Sequence, residues 1–129
     1  MPCAYGGGKG MLSTSPRGKV YLAAGVTDLR NNIDGLALMV EREFRLDVFS
    51  DCLFVFCNRR RDKLKILYWD RNGFWLYYRR LEEGVFQWPE GEGERGSMEI
   101  TARQLNWLLD GLTIHEAKAH REVLKRKLI

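Results

Sequence analysis

Histidine and cysteine, the side chains that most often bind metals or act as nucleophiles, are scarce: the 129 residues include two histidines and three cysteines. His115 and His120 are five positions apart and not near a cysteine, which is not the spacing of a zinc site. Cys52 and Cys57 are five positions apart in a predicted strand, so their side chains should point to opposite faces. We therefore predict no metal site, no disulfide and no cofactor.

Long apolar runs and clustered acidic residues are missing as well. No run approaches the roughly 18 to 20 apolar residues of a membrane span, and the glycine-rich start lacks the apolar stretch of a secretory signal. The acidic residues are spread over one side of a predicted helix and over a loop from Glu90 to Glu99, where they cannot jointly hold a catalytic cation. We expect a cytoplasmic protein that is not an enzyme.

Charge is distributed unevenly along the chain. Residues 59–81 carry eight cationic and two acidic side chains, a net charge of +6, whereas residues 82–100 have a net charge of −5. The length permits one ordinary hydrophobic core. We predict a flexible leader over residues 1–16, one domain over residues 17–112, and a basic tail with helical potential over residues 113–129.

Hydrophobic periodicity predicts two helices and a sheet. An amphipathic helix should run from Leu29 to Phe44, with Thr27 as its N-cap, and Thr101 should cap a second helix near the C-terminus. Three runs rich in aromatic and β-branched residues predict an antiparallel meander: Cys52–Cys57, Lys63–Asp70 and Phe74–Leu81. Val20–Ala24 and Ser97–Ile100 add one or two short strands.

The fold class that these patterns predict is α+β. We expect one domain with an antiparallel β-meander sheet of four or five strands, the first helix packed on one face of the sheet, and the second helix near the C-terminus.

Turn chemistry sets the expected register of the meander. Asp70-Arg71-Asn72-Gly73 is typical of a type I turn followed by a left-handed glycine, which would pair Asp70 with Phe74. Cys57 would pair with Lys63, so that even-numbered residues of all three strands would share one face of the sheet and odd-numbered residues the other. Lys65 would then lie opposite Arg79, and Trp69 opposite Trp75. The apolar face, with Phe54, Leu64 and Leu76, would then lie under the first helix and leave the cationic face open. A two-residue turn on Asn72-Gly73 is the alternative, and it would swap the faces of the last strand of the meander.

A face that mixes cations with aromatic rings suits nucleic acid, because cations neutralise phosphates and rings stack on bases. We predict that the following residues bind nucleic acid: Arg59, Arg60, Arg61, Lys63, Lys65, Trp69, Trp75, Arg79 and Arg80. Two alternatives remain open. The arginine cluster can be a solvated loop, and the tryptophans can pack under the second helix.

Three stretches carry a resemblance to a known family: "VYLAAGVTDLRNNIDGLALMV" (Val20–Val40), "LFVFCNRRRDKLKILYWDRNGFWLYYRRLEEGVFQWP" (Leu53–Pro89) and "ITARQLNWLLDGL" (Ile100–Leu112). The chain resembles the TnpB accessory proteins, the second-reading-frame products of the insertion-sequence-sixty-six transposon family. The likeness covers most of Met11 to Leu112, and it implies that residues 1–10 precede the usual start of family members.

The resemblance implies a bacterial accessory protein that is needed for transposition beside a separate transposase and has no catalytic activity of its own. DNA, the transposase and another accessory protein of the same element are the expected partners. The main alternative is a protein adaptor that docks on the transposase without contacting DNA, for which Arg30, Asp34 and Leu38 are contact candidates. A nuclease with an unrecognised site is a further alternative.

Overall fold

The computed structural model describes residues 19–90 and 96–115. The elements, in chain order, are β1 (Val20–Ala23), α1 (Ile33–Met39), β2 (Leu53–Cys57), β3 (Lys63–Asp70), β4 (Gly73–Arg80), β5 (Ser97–Ile100) and α2 (Ala102–Leu109). The strands form one sheet in the order β4-β3-β2-β1-β5, in which only the β1–β2 pair is parallel. The predicted α+β class is confirmed. The predicted leader and the tail beyond His115 lie outside the described residues.

Both faces of the sheet are covered. On one face, α1 and the segment that follows it bury Leu36, Val40 and Phe44 against residues of the sheet such as Phe54 and Leu67. On the other face, a second cluster contains buried residues of α2, of the segment before β5 and of the segment after α2. Its members outside the sheet are Phe86, Trp88, Leu105, Leu108 and Ile114. The domain therefore has three layers, with the sheet between two helices.

The first helix begins later than predicted. Thr27 is not its N-cap: the residue is buried, and its N–H donates to the Cys57 carbonyl (2.9 Å). Instead of opening a helix, the Asp28 carboxylate accepts the Arg30 backbone N–H (3.0 Å), which folds this segment into a turn. Helix α1 starts at Ile33 and continues from Val40 to Phe44 as a π-helical segment.

The second helix begins as predicted. Thr101 is its N-cap, and its hydroxyl accepts the Gln104 N–H (3.1 Å) while the Gln104 side chain accepts the Thr101 N–H (2.9 Å). This reciprocal capping satisfies two backbone donors that the first helical turn cannot pair. The helix ends near Gly111, which has a φ of +90°.

The predicted register of the meander is wrong at both hairpins. Asp70 pairs with Gly73, not with Phe74, because the connection is a two-residue turn on Arg71 and Asn72. Cys57 likewise pairs with Leu64 and not with Lys63. Both pairings are shifted by one residue, so β3 presents to each face the side chains that were assigned to the other.

The shift has a physical cause in the packing. Because helices cover both faces, β3 needs hydrophobic side chains on each. Leu64 and Ile66 belong to the hydrophobic cluster beneath α2, and Leu67 belongs to the cluster beneath α1. The predicted pairs Lys65–Arg79 and Trp69–Trp75 do not form, since Lys65 lies opposite Tyr78 and Trp69 lies opposite Phe74. The sheet has no uniformly charged face.

The turn places a side chain in a conformation that L-residues disfavour. Arg71 has a φ of +60°, whereas its neighbour Gly73 does not have a positive φ. A residue with a Cβ in the left-handed region costs about 1–2 kcal/mol relative to glycine.

We expect Arg71→Gly to be more stable than Arg71→Ala by about 1 kcal/mol, because both remove the same charge and only glycine removes the strain. Urea unfolding of the two variants measures the difference. Equal free energies of unfolding would show that the turn does not strain residue 71.

Candidate nucleic-acid interface

The loop that carries the arginine run is built around Asn58. The Asn58 side-chain oxygen accepts the backbone N–H groups of Asp62 (3.1 Å) and Lys63 (3.0 Å), and its amide donates to the Asp62 carboxylate (2.8 Å). The Leu81 N–H donates to the Asp62 carbonyl (2.8 Å), which holds the end of β4 against the loop. A tight side-chain-to-backbone network therefore fixes the position of the arginines.

Four of the predicted cations come together at this end of the β3–β4 hairpin. Arg59 and Arg60 are exposed on the loop, and Lys63 pairs across the strands with Arg80 on the face that α1 covers further along. We call this group, Arg59, Arg60, Lys63 and Arg80, the basic end.

Acidic neighbours balance part of the charge of the basic end. Arg80 forms an ion pair with Glu82 (Nη2–Oε2 2.9 Å) at the surface. The pKa of Asp62 lies below its usual value, mainly because Asn58 donates a hydrogen bond to it, with smaller contributions from Lys63 and Arg60. Within the described part of the chain, Arg59 and Arg60 form no ion pair, so their charges are available to an anion.

Arg61 belongs to the same run but turns inward. Its φ is +64°, and its guanidinium donates to the Trp88 carbonyl (2.9 Å) and reaches Glu90 (3.5 Å). The Arg61 carbonyl also accepts the Phe86 N–H (2.7 Å). Arg61 thus attaches the segment that carries Phe86 and Trp88, two residues of the core under α2.

Lys65 has a structural partner as well. Its ammonium donates to the carbonyls of Leu29 (2.7 Å) and Asn31 (3.0 Å) and to the Asn32 side-chain oxygen (3.2 Å). Asn32 is the N-cap residue of α1, which has no side-chain cap of its own. Lys65 therefore fastens the turn before α1 to the middle of β3.

The remaining predicted residues do not join the basic end. Trp69 lies in an aromatic cluster on the α1 face, with ring centroids 5.0 Å from Phe49 and 4.9 Å from Phe74. Trp75 and Arg79 point to the opposite face, where the Trp75 ring stacks on Tyr77 with centroids 5.9 Å apart. The two tryptophans therefore cannot form one stacking platform.

The candidates for protein contact lie around α1. Asp34 and Leu38 are exposed on the helix, while Arg30 lies in the turn before it and is paired with Asp28 (Nη2–Oδ2 2.7 Å). Hydrogen bonds from the Arg30 side chain and backbone lower the pKa of Asp28 to about 2. Nothing in the described structure joins these residues to the basic end.

One feature of the surface was not predicted from the sequence. β4 contains five consecutive hydrophobic residues, Phe74–Tyr78, yet none of its eight residues is buried. The unbroken run was the available signal, because a strand with only one covered face alternates hydrophobic and polar residues.

The described residues contain neither an assembled metal site nor a membrane span. No group of three or more His, Cys, Asp or Glu residues among them could hold a metal ion, and none of their helices is long and apolar enough to cross a bilayer. Burial raises the pKa of the Cys57 thiol to about 11, so it stays protonated at neutral pH.

The fold and surface define a small α+β domain with a basic end and a hydrophobic edge strand. A model of the IS66 Orf2-like protein family matches residues 18–119. The chain belongs to this family of transposition accessory proteins. The residues that carried the resemblance, Val20–Val40, Leu53–Pro89 and Ile100–Leu112, all lie within the matched range.

Two curated relatives come from Sinorhizobium fredii (strain NBRC 101917 / NGR234). The chain is 37% identical over 102 residues to the uncharacterized protein y4hO, a match that covers 79% of this chain and 87% of the relative. It is 28% identical over 102 residues to the uncharacterized protein y4jC, covering 79% of this chain and 86% of the relative. No solved structure matches the chain significantly.

The structural role of Lys65 is testable. We expect Lys65→Met to lower the free energy of unfolding by about 1–3 kcal/mol, because it keeps the stem but leaves the oxygens of Leu29 and Asn31 without their charged donor. Lys63→Met on the same face of β3 is the control, and it should change stability by less than about 0.5 kcal/mol. Urea unfolding measures both variants, and equal losses would contradict the assignment.

Proposed function

We propose that this protein is a non-catalytic accessory factor of insertion-sequence transposition that contacts DNA phosphates through its basic end and works beside the transposase of its element. Family membership supports the transposition role. The observation that supports DNA contact is the exposure of Arg59 and Arg60 on a loop fixed by Asn58, with no described carboxylate paired to either.

Rigid presentation of these cations matters for binding. A flexible basic loop loses conformational entropy when it binds, whereas the Asn58 network has already ordered this backbone. Lys63 extends the positive surface along the end of the sheet, and Arg80 extends it further when a phosphate replaces Glu82 as its partner, so about four phosphates can be contacted at once. Phosphate contacts carry no sequence information by themselves, so the basic end supplies affinity and not target choice.

A salt titration tests the proposal. With about four phosphate contacts, the affinity for a fluorescein-labelled DNA duplex should fall about a hundredfold between about 50 and 200 mM salt. Arg59→Gln/Arg60→Gln should weaken binding at low salt and reduce the slope of log affinity against log salt by about 2. Fluorescence anisotropy measures both quantities.

A matched control separates local contact from net charge. Arg42→Gln/Arg103→Gln removes one exposed cation from the π-helical segment after α1 and one from α2, so it changes the net charge by the same amount. The slope of its log affinity for DNA against log salt should match that of the unmodified protein. If both double variants weakened DNA binding equally, the binding would depend on the net charge of the protein and not on contacts made by the basic end. Absence of binding at low salt, with salt-insensitive association with the transposase, would instead support the protein adaptor.

A further inference from the structure

Strand β4 exposes hydrophobic surface in a way that the other strands do not. Trp75 is 53% exposed and Tyr78 is 55% exposed, and they lie on opposite faces of the sheet. Each of the other four strands has at least one buried residue, whereas β4 has none. Burying exposed apolar surface is favourable by about 25 cal/mol for each Å² that is removed from water.

β4 is also an open edge of the sheet. It is the terminal strand next to β3, so alternate residues direct their N–H and C=O groups away from the sheet. Proline and inward charges, which commonly block edge pairing, are absent from its centre, and its cations, Arg79 and Arg80, lie at one end. The opposite edge, β5, is half as long and carries Glu99 in an ion pair with Lys19 (3.6 Å). The edge suited to pairing is therefore β4.

We propose that β4 pairs antiparallel with β4 of a second copy of this chain, about a two-fold axis at Leu76, and so forms a continuous ten-stranded sheet. The hydrophobic run Phe74–Tyr78 is centred on Leu76. In this register each Trp75 meets Tyr77 of the second copy, each Phe74 meets Tyr78, and the two Leu76 residues meet each other. Every hydrophobic residue of the run thus finds a hydrophobic partner, as favours cross-strand pairing.

The symmetry is compatible with the pleat of the strand. A two-fold axis perpendicular to the sheet keeps each face on its own side, so residues that meet must share a face. Trp75 and Tyr77 do share a face, and their rings already stack with an interplanar angle of 5°. Pairing would place this ring pair beside its symmetry copy and form a patch of four aromatic side chains, two from each strand.

Charge at the ends of the run is complementary as well. Arg79 would lie opposite Gly73 of the second copy, which has no side chain to block it. Asp70 is the cross-strand partner of Gly73 and lies beyond it on the same face. Two strand spacings, about 10 Å between Cα atoms, are within the combined reach of arginine and aspartate.

Asp70 has the free capacity that this contact requires. It accepts a hydrogen bond from the Trp75 indole (3.3 Å) but forms no ion pair with any described residue. A strand from an unrelated protein could satisfy the backbone groups of β4. A second copy also matches both the hydrophobic run and the Arg79–Asp70 pair.

Sedimentation equilibrium of the full chain, without DNA, tests the dimer. The unmodified protein should be dimeric at micromolar concentration, and Trp75→Lys/Tyr78→Lys should raise the dissociation constant at least tenfold. Val85→Lys/Leu112→Lys, which adds the same charge at exposed hydrophobic residues outside the sheet, should leave it unchanged. Circular dichroism checks that the variants fold. A monomeric unmodified protein, or a dimer that survives the β4 change, would overturn the proposal.

A mixing experiment tests the register. Arg79→Asp places two carboxylates together, and Asp70→Arg places two guanidinium groups together, so each variant alone should dimerise less well. In an equimolar mixture both contacts become Asp–Arg pairs, and a heterodimer should form. A mixture that is no more dimeric than the separate variants would overturn this register. Because no DNA is present, failure here leaves the proposed function of the basic end standing.

Discussion

The structure depends on the coverage of β3 by a helical layer on each face. A strand in this position has no side available for a row of solvated charges, so Leu64 and Ile66 serve one core and Leu67 serves the other. The single lysine in its middle, Lys65, directs its ammonium to the carbonyls before α1. Cations can therefore collect only where the strand meets its loop, and this is where the basic end lies.

This constraint explains which predictions from sequence succeeded. The strands, the class of the fold and the cap of α2 depend on local patterns: apolar runs between turn residues, and Thr101 three positions before Gln104. The register depends on what covers each face, and the residues of the Asp70–Gly73 turn allow more than one connection. Because both faces of β3 carry hydrophobic residues, the polarity of its side chains could not show which set of alternate residues faces α1.

The cationic residues show the same limit on a smaller scale. Arg60 and Arg61 are identical neighbours in the sequence, yet Arg60 is exposed and Arg61 holds the Trp88 carbonyl. The difference comes from the positive φ of Arg61 and from a segment 27 residues further along the chain. The predicted start of α1 was wrong for a related reason. The Asp28 side chain closes a turn where periodicity alone predicted a helix.

The geometry also relates the two proposed surfaces. In a β4 pair about Leu76, Arg80 of each copy would lie opposite Asn72 of the other, so the two Arg80 residues would be about 27 Å apart along the strands. A perpendicular two-fold axis keeps Lys63 and Arg80 of both copies on the same face of the continuous sheet. A duplex long enough to span the distance between the two basic ends could contact both, whereas a duplex much shorter than that distance could contact only one. The second contact would then be intramolecular, and long DNA would be held more tightly than the affinity of either end alone allows.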